Sequence, residues 1–181
     1  MKVVDVDTGE TKGPNQRGEL WVMGPQVMKG YLNNLEATLK TIKNEDNQEW
    51  LLSGDIAQYD EQGNIFMVDR MKEMIKCKAL QVSPSELEDI LKTHYEVRDV
   101  AVIGVPDERT GEVPRAYIVK VNRKADDEEV AASIKDFLNE RVSEHKQLRG
   151  GIVFLTEIPK SPAGKILKKN LPVLKESRVV W

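Results

Sequence analysis

A glycine–lysine pair near the end of this 181-residue sequence has the spacing of a phosphate-binding turn. Gly164 and Lys165 lie between GGIVFL, which predicts a strand, and KILKKNL, which predicts a helix. A strict P-loop also needs a glycine five positions before this pair and a Ser or Thr after it, where the chain has Pro159 and Ile166. Proline has no amide hydrogen to donate to a phosphate. Lys165 is therefore either an ordinary surface lysine or a cation that serves phosphate chemistry of a different design.

Two more residues have side chains suited to a nucleotide. Asp55, in the stretch SGD, carries a carboxylate that can accept hydrogen bonds from the two vicinal hydroxyls of a ribose. The alternative is an aspartate in a turn before a strand. Arg70, in VDR, offers a permanently charged fork of donors, and the alternative is a solvated charge at the end of a strand.

The stretch MIKCKALQV alternates between apolar and charged residues, which is typical of a half-buried strand. Ile75, Cys77 and Ala79 would face the core, and Lys76 and Lys78 would face solvent. By itself this pattern makes the lysines the wet face of a strand. Cys77 has no histidine next to it in the sequence, so we interpret it as a core residue rather than a nucleophile.

Composition narrows the class of protein. A net charge of −3 argues against a general nucleic-acid binder, and one cysteine with two histidines predicts neither an internal disulfide nor a metal site. No apolar run reaches the roughly 18 residues of a membrane-spanning helix. The N-terminus lacks a signal-peptide core, and the C-terminal VVW is not a Ser-Lys-Leu address. A cytoplasmic location is predicted, with the peroxisome left open.

The first part of the chain is predicted to be mostly β. KVVDVD and GELWVMG predict short strands, DIAQY and NIFMVD a hairpin, and NNLEATLKTI a short helix with Leu35, Leu39 and Ile42 on one face. So few short strands have little core of their own and leave open sheet edges. We expect this part to be the end of a larger domain.

The second part is predicted to be a compact α+β domain with the order β, α, β, β, α, β, α. Ser83 and Glu86 form a capping box that begins one helix, SPSELEDILKTH. A second helix, DDEEVAASIKDFLNERV, begins with acidic residues that favour its N-terminus. The stretches VRDVAVIGVP, PRAYIVKV and GGIVFL are typical of buried strands.

Four segments of the chain resemble the adenylate-forming enzymes, a superfamily that includes acyl-CoA synthetases, 4-coumarate-CoA ligases, beetle luciferases and peptide-synthetase adenylation domains. One motif would be weak evidence, whereas four in the family's order are very specific. LRGGIVFL favours the luciferase-like and 4-coumarate-ligase-like branch. The segments are GELWVMGPQVMKGYLNN (18–34), WLLSGDIAQYDEQGNIFMVDRMKEMIK (50–76), VSPSELEDIL (82–91) and EIPKSPAGKILKK (157–169).

The resemblance implies an α+β fold in two parts. Residues 70–181 would form the small C-terminal lid domain, a mixed or antiparallel sheet with flanking helices. Residues 1–69 would be the β-rich, incomplete end of the large AMP-binding domain. The family's Ser/Thr/Gly-rich phosphate loop and acyl pocket have no counterpart in the sequence, so the chain is interpreted as a fragment whose partner is a missing N-terminal adenylation domain.

The resemblance also implies a reaction and roles for the candidate residues. The family's enzymes use ATP with Mg²⁺ to convert a carboxylic acid into an acyl-adenylate, and a thiol, commonly that of coenzyme A, then attacks it. Lys165 would match the lysine that acts in adenylation, and Lys76 the lysine of the thiol step. Asp55 would bind the ribose and Arg70 would contact the nucleotide. No metal ligand is assigned to this chain.

Four other positions take roles only from the resemblance. Asp69 and Lys72 would belong to the hinge about which the small domain rotates, with Lys72 nearest the pivot. Lys78 and Ala79 would lie beside the passage for the pantetheine arm of the thiol. Ala79 stands where the family usually has glycine, and its methyl group puts efficient thioester formation in doubt more than adenylation.

The leading hypothesis is the C-terminal part of an acyl- or aryl-acid CoA ligase, with Mg²⁺-ATP and coenzyme A as cofactors of the parent enzyme. The isolated chain is expected to hold none of them tightly and to be inactive. One alternative is a fragment of a luciferase-like monooxygenase, because the same scaffold serves both chemistries. Another is a stand-alone, non-catalytic interaction module.

Overall fold

The computed structural model describes residues 1–78, 80–173 and 178–181. The chain divides into two compact units, Met1–Lys72 and Glu73–Trp181. The assignment of residues 1–69 to a larger AMP-binding domain and of 70–181 to a lid domain stays a prediction.

The first unit contains a five-stranded antiparallel sheet with the order β1-β2-β4-β3, in which β5 also pairs with β4. A small apolar core of Val3, Leu20 and Ala57 lies on it. The strands are β1 (Lys2–Val4), β2 (Gly18–Val22), β3 (Ile42–Glu45), β4 (Gln48–Tyr59) and β5 (Ile65–Arg70).

The hairpin that the sequence predicts around DIAQY and NIFMVD is present as β4 and β5. Asp60 makes its turn, accepting hydrogen bonds from the backbone amides of Gln62 and Asn64 at 3.0 and 2.8 Å. The two strands are paired so that Asp55 lies opposite Arg70. The register of this hairpin therefore places the two predicted nucleotide residues side by side.

The short helix α1 (Leu35–Thr41) begins at Asn34, whose side chain accepts the amide of Ala37. The prediction of its apolar face was wrong in part, because Ile42 begins β3 instead of continuing the helix. Leu35 and Leu39 are 71% and 69% exposed. The helix therefore forms from its cap and local propensity, without burying any of its residues in the described part of the chain.

The second unit contains a six-stranded mixed sheet with the order β11-β10-β9-β6-β7, in which β8 also pairs with β9. β10 runs parallel to β9, and the other pairs are antiparallel. The strands are β6 (Ile75–Cys77), β7 (Leu80–Val82), β8 (Val97–Asp107), β9 (Gly111–Lys120), β10 (Ile152–Phe154) and β11 (Val179–Val180).

Two helices cover this sheet with their apolar stripes. In α2 (Pro84–Lys92) the Ser83 hydroxyl accepts the amide of Glu86 at 3.3 Å, while the Glu86 carboxylate pairs with Lys146, so the Ser83 half of the predicted capping box is present. In α3 (Asp127–Asn139) the carboxylate of Asp126 accepts the amides of Glu128 and Glu129. The two stripes join the strands in one main core, which includes Leu87, Leu91, Ile134 and Leu138.

The mixed α+β fold with flanking helices is confirmed, and three elements differ from the prediction. The stretch MIKCKALQV forms the two strands β6 and β7, because the chain turns back after Cys77. The predicted last helix is instead a 3-10 helix, Lys168–Val173. The short strand β11 was not predicted, since two residues are too few to show a periodic pattern.

Candidate functional site

Lys165 lies in a tight hairpin rather than in a phosphate-binding loop. Lys160 and Ile166 are paired as an antiparallel bridge, and the Ser161 amide donates to the Lys165 carbonyl at 2.8 Å. Gly164 closes the three-residue loop with φ of +79°, a conformation that favours glycine. The helix predicted over KILKKNL does not begin at Lys165. A 3-10 helix begins instead at Lys168, three residues later.

The side chain of Lys165 is available to an anion. The residue is exposed, and its ammonium forms no hydrogen bond or ion pair with any residue that the structure describes. Its backbone is held, because its amide donates to the hydroxyl of Ser161 at 3.2 Å. A fixed backbone with an unengaged cation at its tip is suited to contact a negatively charged substrate from outside.

The sequence predicts that Lys160 and Lys168, on either side of Lys165, are solvated lysines; Lys160 is exposed, and Lys168 departs from the prediction. Lys160 pairs with Asp99 at 2.6 Å. Lys168 is only 17% exposed and lies between two carboxylates, those of Glu73 and Glu88. The sequence carried no signal for these contacts, because the partners are far away along the chain and only the fold brings them together.

Lys76 lies on β6 and points away from the core, as the alternation predicts. Its backbone amide donates to the Glu112 carboxylate at 2.9 Å, and its ammonium has no partner in the described residues. Lys78 has φ of +57° in the turn that follows β6, and its amide donates to the carbonyl of Thr110 at 2.6 Å. Ala79 lies outside the described residues, so the prediction made for it stays untested.

Cys77 belongs to the core of the second unit. It is 1% exposed and packs in the main apolar cluster. The interpretation of this thiol as a core residue agrees with its position, because a thiol that is buried among apolar side chains is not accessible to a substrate.

The predicted nucleotide residues lie together in the first unit. Arg70 Nε donates to Asp55 Oδ1 at 2.7 Å, and Asp55 is 23% exposed, so its carboxylate remains partly open to solvent. The backbone amide of Arg70 donates to Asp69 Oδ1 at 2.7 Å. Lys72 is exposed within a 3-10 turn, Met71–Glu73.

The candidates thus form three groups. Asp55 and Arg70 are paired across one hairpin of the first unit. Lys76 and Lys78 share a second hairpin, and Lys165 is at the tip of a third, both in the second unit. Across the described ranges no group of three or more His, Cys, Asp or Glu side chains could hold a metal ion. No helix of those ranges is long and apolar enough to cross a membrane.

Residues 86–165 match the family model of the AMP-binding enzyme C-terminal domain. This match contains most of α2, all of α3, the long strands β8 and β9, and the Lys165 hairpin as far as Lys165 itself. These residues are similar in sequence to that domain family. The resemblance to the C-terminal part of the adenylate-forming enzymes is therefore confirmed.

Two curated relatives show which enzymes the chain is similar to. It is 47% identical over 178 residues to 4-coumarate–CoA ligase-like 2 of Arabidopsis thaliana, a match that covers 98% of this chain and 30% of the relative. It is 49% identical over 165 residues to luciferin 4-monooxygenase of Photinus pyralis, covering 91% of this chain and 29% of the relative. The chain thus spans about 30% of the length of the relatives it matches.

One solved structure has the same fold over the full length of this chain. It is o-succinylbenzoate CoA synthetase from Bacillus subtilis in complex with the acyl-adenylate intermediate OSB-AMP. The TM-score is 0.81 at 28% identity, and the match covers 100% of this chain and 34% of that one. The chain is similar in sequence and fold to adenylate-forming CoA ligases, and ATP use is a property of that family.

Proposed function

We propose that this chain is the C-terminal part of an ATP-dependent acyl- or aryl-acid CoA ligase. The observation that carries the proposal is the exposed, unpartnered ammonium of Lys165 at the tip of a fixed hairpin in an AMP-binding enzyme C-terminal domain. The parent would first join a carboxylic acid to AMP and then transfer the acyl group to coenzyme A. Its other part would be an N-terminal adenylation domain.

In the first step a substrate carboxylate oxygen attacks the α-phosphorus of ATP, and the bond to pyrophosphate breaks. No general base is needed, because a carboxylic acid is already ionised near neutral pH. Negative charge builds up where two anions meet, so a positioned cation lowers the barrier. Lys165 supplies that cation, since its ammonium is not neutralised by any described carboxylate.

The first unit offers a carboxylate suited to the ribose of the nucleotide. Arg70 occupies one oxygen of Asp55, and the partly exposed carboxylate keeps acceptor capacity for the ribose hydroxyls. The guanidinium of Arg70 is 60% exposed, and it has donors left for the nucleotide. Mg²⁺, when bound with ATP, would neutralise phosphate charge, and we assign it no ligand in this chain.

The second step is assigned to the β6–β7 hairpin. Lys76 is exposed with its backbone fixed by Glu112, which suits a cation that contacts the adenylate during thiol attack. Lys78 and Ala79 are proposed to lie along the passage for the pantetheine arm of coenzyme A. Asp69 and Lys72 are proposed as the hinge that exchanges the Lys165 and Lys76 hairpins between the two steps.

The test is a pair of substitutions in the full-length protein that carries this chain. Lys165→Ala is expected to slow acyl-adenylate formation by about 10²- to 10³-fold, the usual cost of removing one preorganised electrostatic contact. Use of preformed acyl-adenylate with coenzyme A should be nearly unchanged. Lys169→Ala is the matched control, because Lys169 is an exposed lysine four residues away.

Two results would contradict the proposal. One is an equal loss of both half-reactions in Lys165→Ala, which would remove the specific role in adenylation. The other is robust ATP–pyrophosphate exchange by the isolated 181-residue chain, because that chain is expected to need a separate adenylation domain.

A second candidate is the C-terminal part of a luciferase-like monooxygenase. The observation that favours it is the 49% identity to luciferin 4-monooxygenase, similar to that with the ligase relative. Both chemistries begin with an adenylate, so the Lys165 test does not separate them. Assaying the full-length protein for thioester formation and for light emission from an adenylated luciferin does.

A further inference from the structure

A partly buried ion cluster is centred on Lys168, three residues after Lys165. Lys168 Nζ is 2.9 Å from Glu88 Oε1 and 3.2 Å from Glu73 Oε2. Burial opposes the charge of this ammonium, but the two carboxylates, Glu88 foremost, outweigh burial and raise the pKa of Lys168 above its usual value. Lys168 therefore links two acidic side chains through an ammonium that is charged at neutral pH.

Glu88 provides a rigid end for this link. It lies on α2, its side chain is buried, and its Oε1 also accepts the backbone amide of Val102 on β8 at 2.8 Å. One carboxylate oxygen thus joins a helix, a strand and the lysine. Because helix and strand belong to the main core, Lys168 is anchored to a part of the unit that does not shift easily.

Glu73 provides the second end, at the start of the unit. It is the last residue of the 3-10 turn Met71–Glu73 and follows Lys72, the proposed pivot of the hinge. The next residue, Met74, is buried. Lys168 therefore connects the segment directly after the proposed hinge to the segment directly after Lys165.

The Lys165 hairpin is closed at its base by the residues that lead to Lys168. The Leu167 amide donates to the Pro159 carbonyl at 2.9 Å, and Ile166 packs against a second apolar cluster of the unit. Since Leu167 is adjacent to Lys168, the ion cluster fixes the strand of the hairpin that carries Lys165.

We propose that Lys168 is a positioning residue, which holds the Lys165 hairpin at a fixed place relative to Glu73 and α2. This inference rests on the proposed function of Lys165. The side chain of Lys168 is only 17% exposed and pairs with two carboxylates, whereas its neighbour Lys169 is exposed. An ion pair removed from solvent often contributes little net stability compared with an apolar pair. We therefore expect the Lys168 cluster to affect the position of the hairpin more than the free energy of unfolding.

The first test measures local order in the 181-residue chain by amide hydrogen exchange. In Lys168→Met the amides of Ser161 and Leu167, which close the hairpin, should exchange about tenfold faster, while core amides of β9 keep their rates. Lys168→Arg should restore slow exchange, because a guanidinium can bridge both carboxylates. Lys169→Met is the matched control and should change nothing.

A second variant keeps this test decisive if Lys168→Met does not fold, since removing Lys168 leaves the buried carboxylate of Glu88 without its cation. Lys168→Met combined with Glu88→Gln removes the unpaired charge and retains an oxygen for the Val102 amide. Faster exchange confined to the hairpin supports the proposal. Unchanged exchange at Ser161 and Leu167, or an equal increase at every amide, overturns it.

The second test measures the two half-reactions in the full-length protein. Lys168→Met should lower kcat for adenylation by about 10- to 100-fold with the KM for ATP unchanged, because a small displacement of a catalytic group is costly. Lys168→Arg should recover most of the rate. If Lys165→Ala stops adenylation but Lys168→Met leaves it intact, the positioning role is wrong.

The two proposals fail in distinguishable ways. If Lys165→Ala does not affect adenylation, the proposed function is wrong, whatever the Lys168 variants do. The exchange measurement does not depend on activity, so it still decides whether Lys168 holds the hairpin.

Discussion

Arg70 Nε donates to Asp55 Oδ1 at 2.7 Å, and the two residues are directly paired across the β4–β5 hairpin. The arginine is 60% exposed, so solvent screens the pair, and such exposed pairs contribute roughly 0–1 kcal/mol to stability. The contact does fix the direction of the carboxylate. Its main effect is therefore to orient the carboxylate of Asp55, the residue that we propose to bind the ribose.

The first prediction follows from this pair. Asp55→Asn in the full-length protein should raise the KM for ATP by about 10- to 150-fold, because hydrogen bonds to a charged group are worth roughly 1.5–3 kcal/mol. The free energy of unfolding should change by less than about 1 kcal/mol. Steady-state adenylation kinetics and urea titration measure the two effects.

Glu61→Gln is the matched control for Asp55→Asn. Glu61 is an exposed carboxylate in the turn of the same hairpin, and none of the described residues pairs with it. Its substitution should leave both the KM and the stability unchanged. An unchanged KM in Asp55→Asn would refute ribose binding by this residue.

The second prediction concerns Lys76. Lys76→Ala should slow thioester formation from preformed acyl-adenylate by about 10²-fold or more and leave adenylation nearly intact, the reverse of the Lys165→Ala pattern. Stability should change little, since the side chain is exposed and only its backbone amide is bound by Glu112. Single-turnover measurement of each half-reaction provides the test.

Lys92→Ala is the control, because Lys92 is an exposed lysine on α2. Parallel losses in both steps would argue for a general structural effect of Lys76.

Local sequence signals predicted the elements whose ends are set by neighbouring residues. Ser83 caps its helix as predicted, because this side chain and the amide it accepts are only three residues apart. The alternation around Cys77 also predicted the buried face of β6 correctly, because side chains two residues apart on a strand point to the same side. The α+β fold class followed from such local patterns, whereas the strand register was not predicted.

Contacts between distant residues could not be predicted in this way. Lys168 lies in the lysine-rich stretch KILKK, which predicts a solvated side chain. The fold nevertheless brings its partners Glu73 and Glu88 to it. The 3-10 helix at Lys168–Val173 likewise replaces a predicted α-helix. Lys168 and the buried Leu171 of this stretch contact distant parts of the unit, and a prediction from local helical propensity does not include such contacts.

The third prediction is a pH dependence of stability that comes from His94. The backbone amide of Glu96 donates to Nδ1 at 3.2 Å, and Nε2 lies 3.2 Å from the Ser133 hydroxyl. The buried ring is therefore neutral, with its proton on Nε2. Protonation would place a second N–H against the Glu96 amide and lose that hydrogen bond. Burial lowers the pKa of His94 below its usual value of 6.5, Arg141 lowers it further, and Glu96 opposes them.

The sign of the effect follows from that direction. Below pH 6.5 the unfolded chain takes up the proton before the folded chain does, so stability decreases as the pH falls and levels off below the folded pKa. His94→Gln has no titrating ring, and it should lose less stability between about pH 7.5 and about pH 5 than the original protein. Carboxylates that titrate at the lower end act on both proteins and cancel in the difference. Urea unfolding at several pH values measures this difference, and parallel curves for the two proteins would show that His94 does not control it.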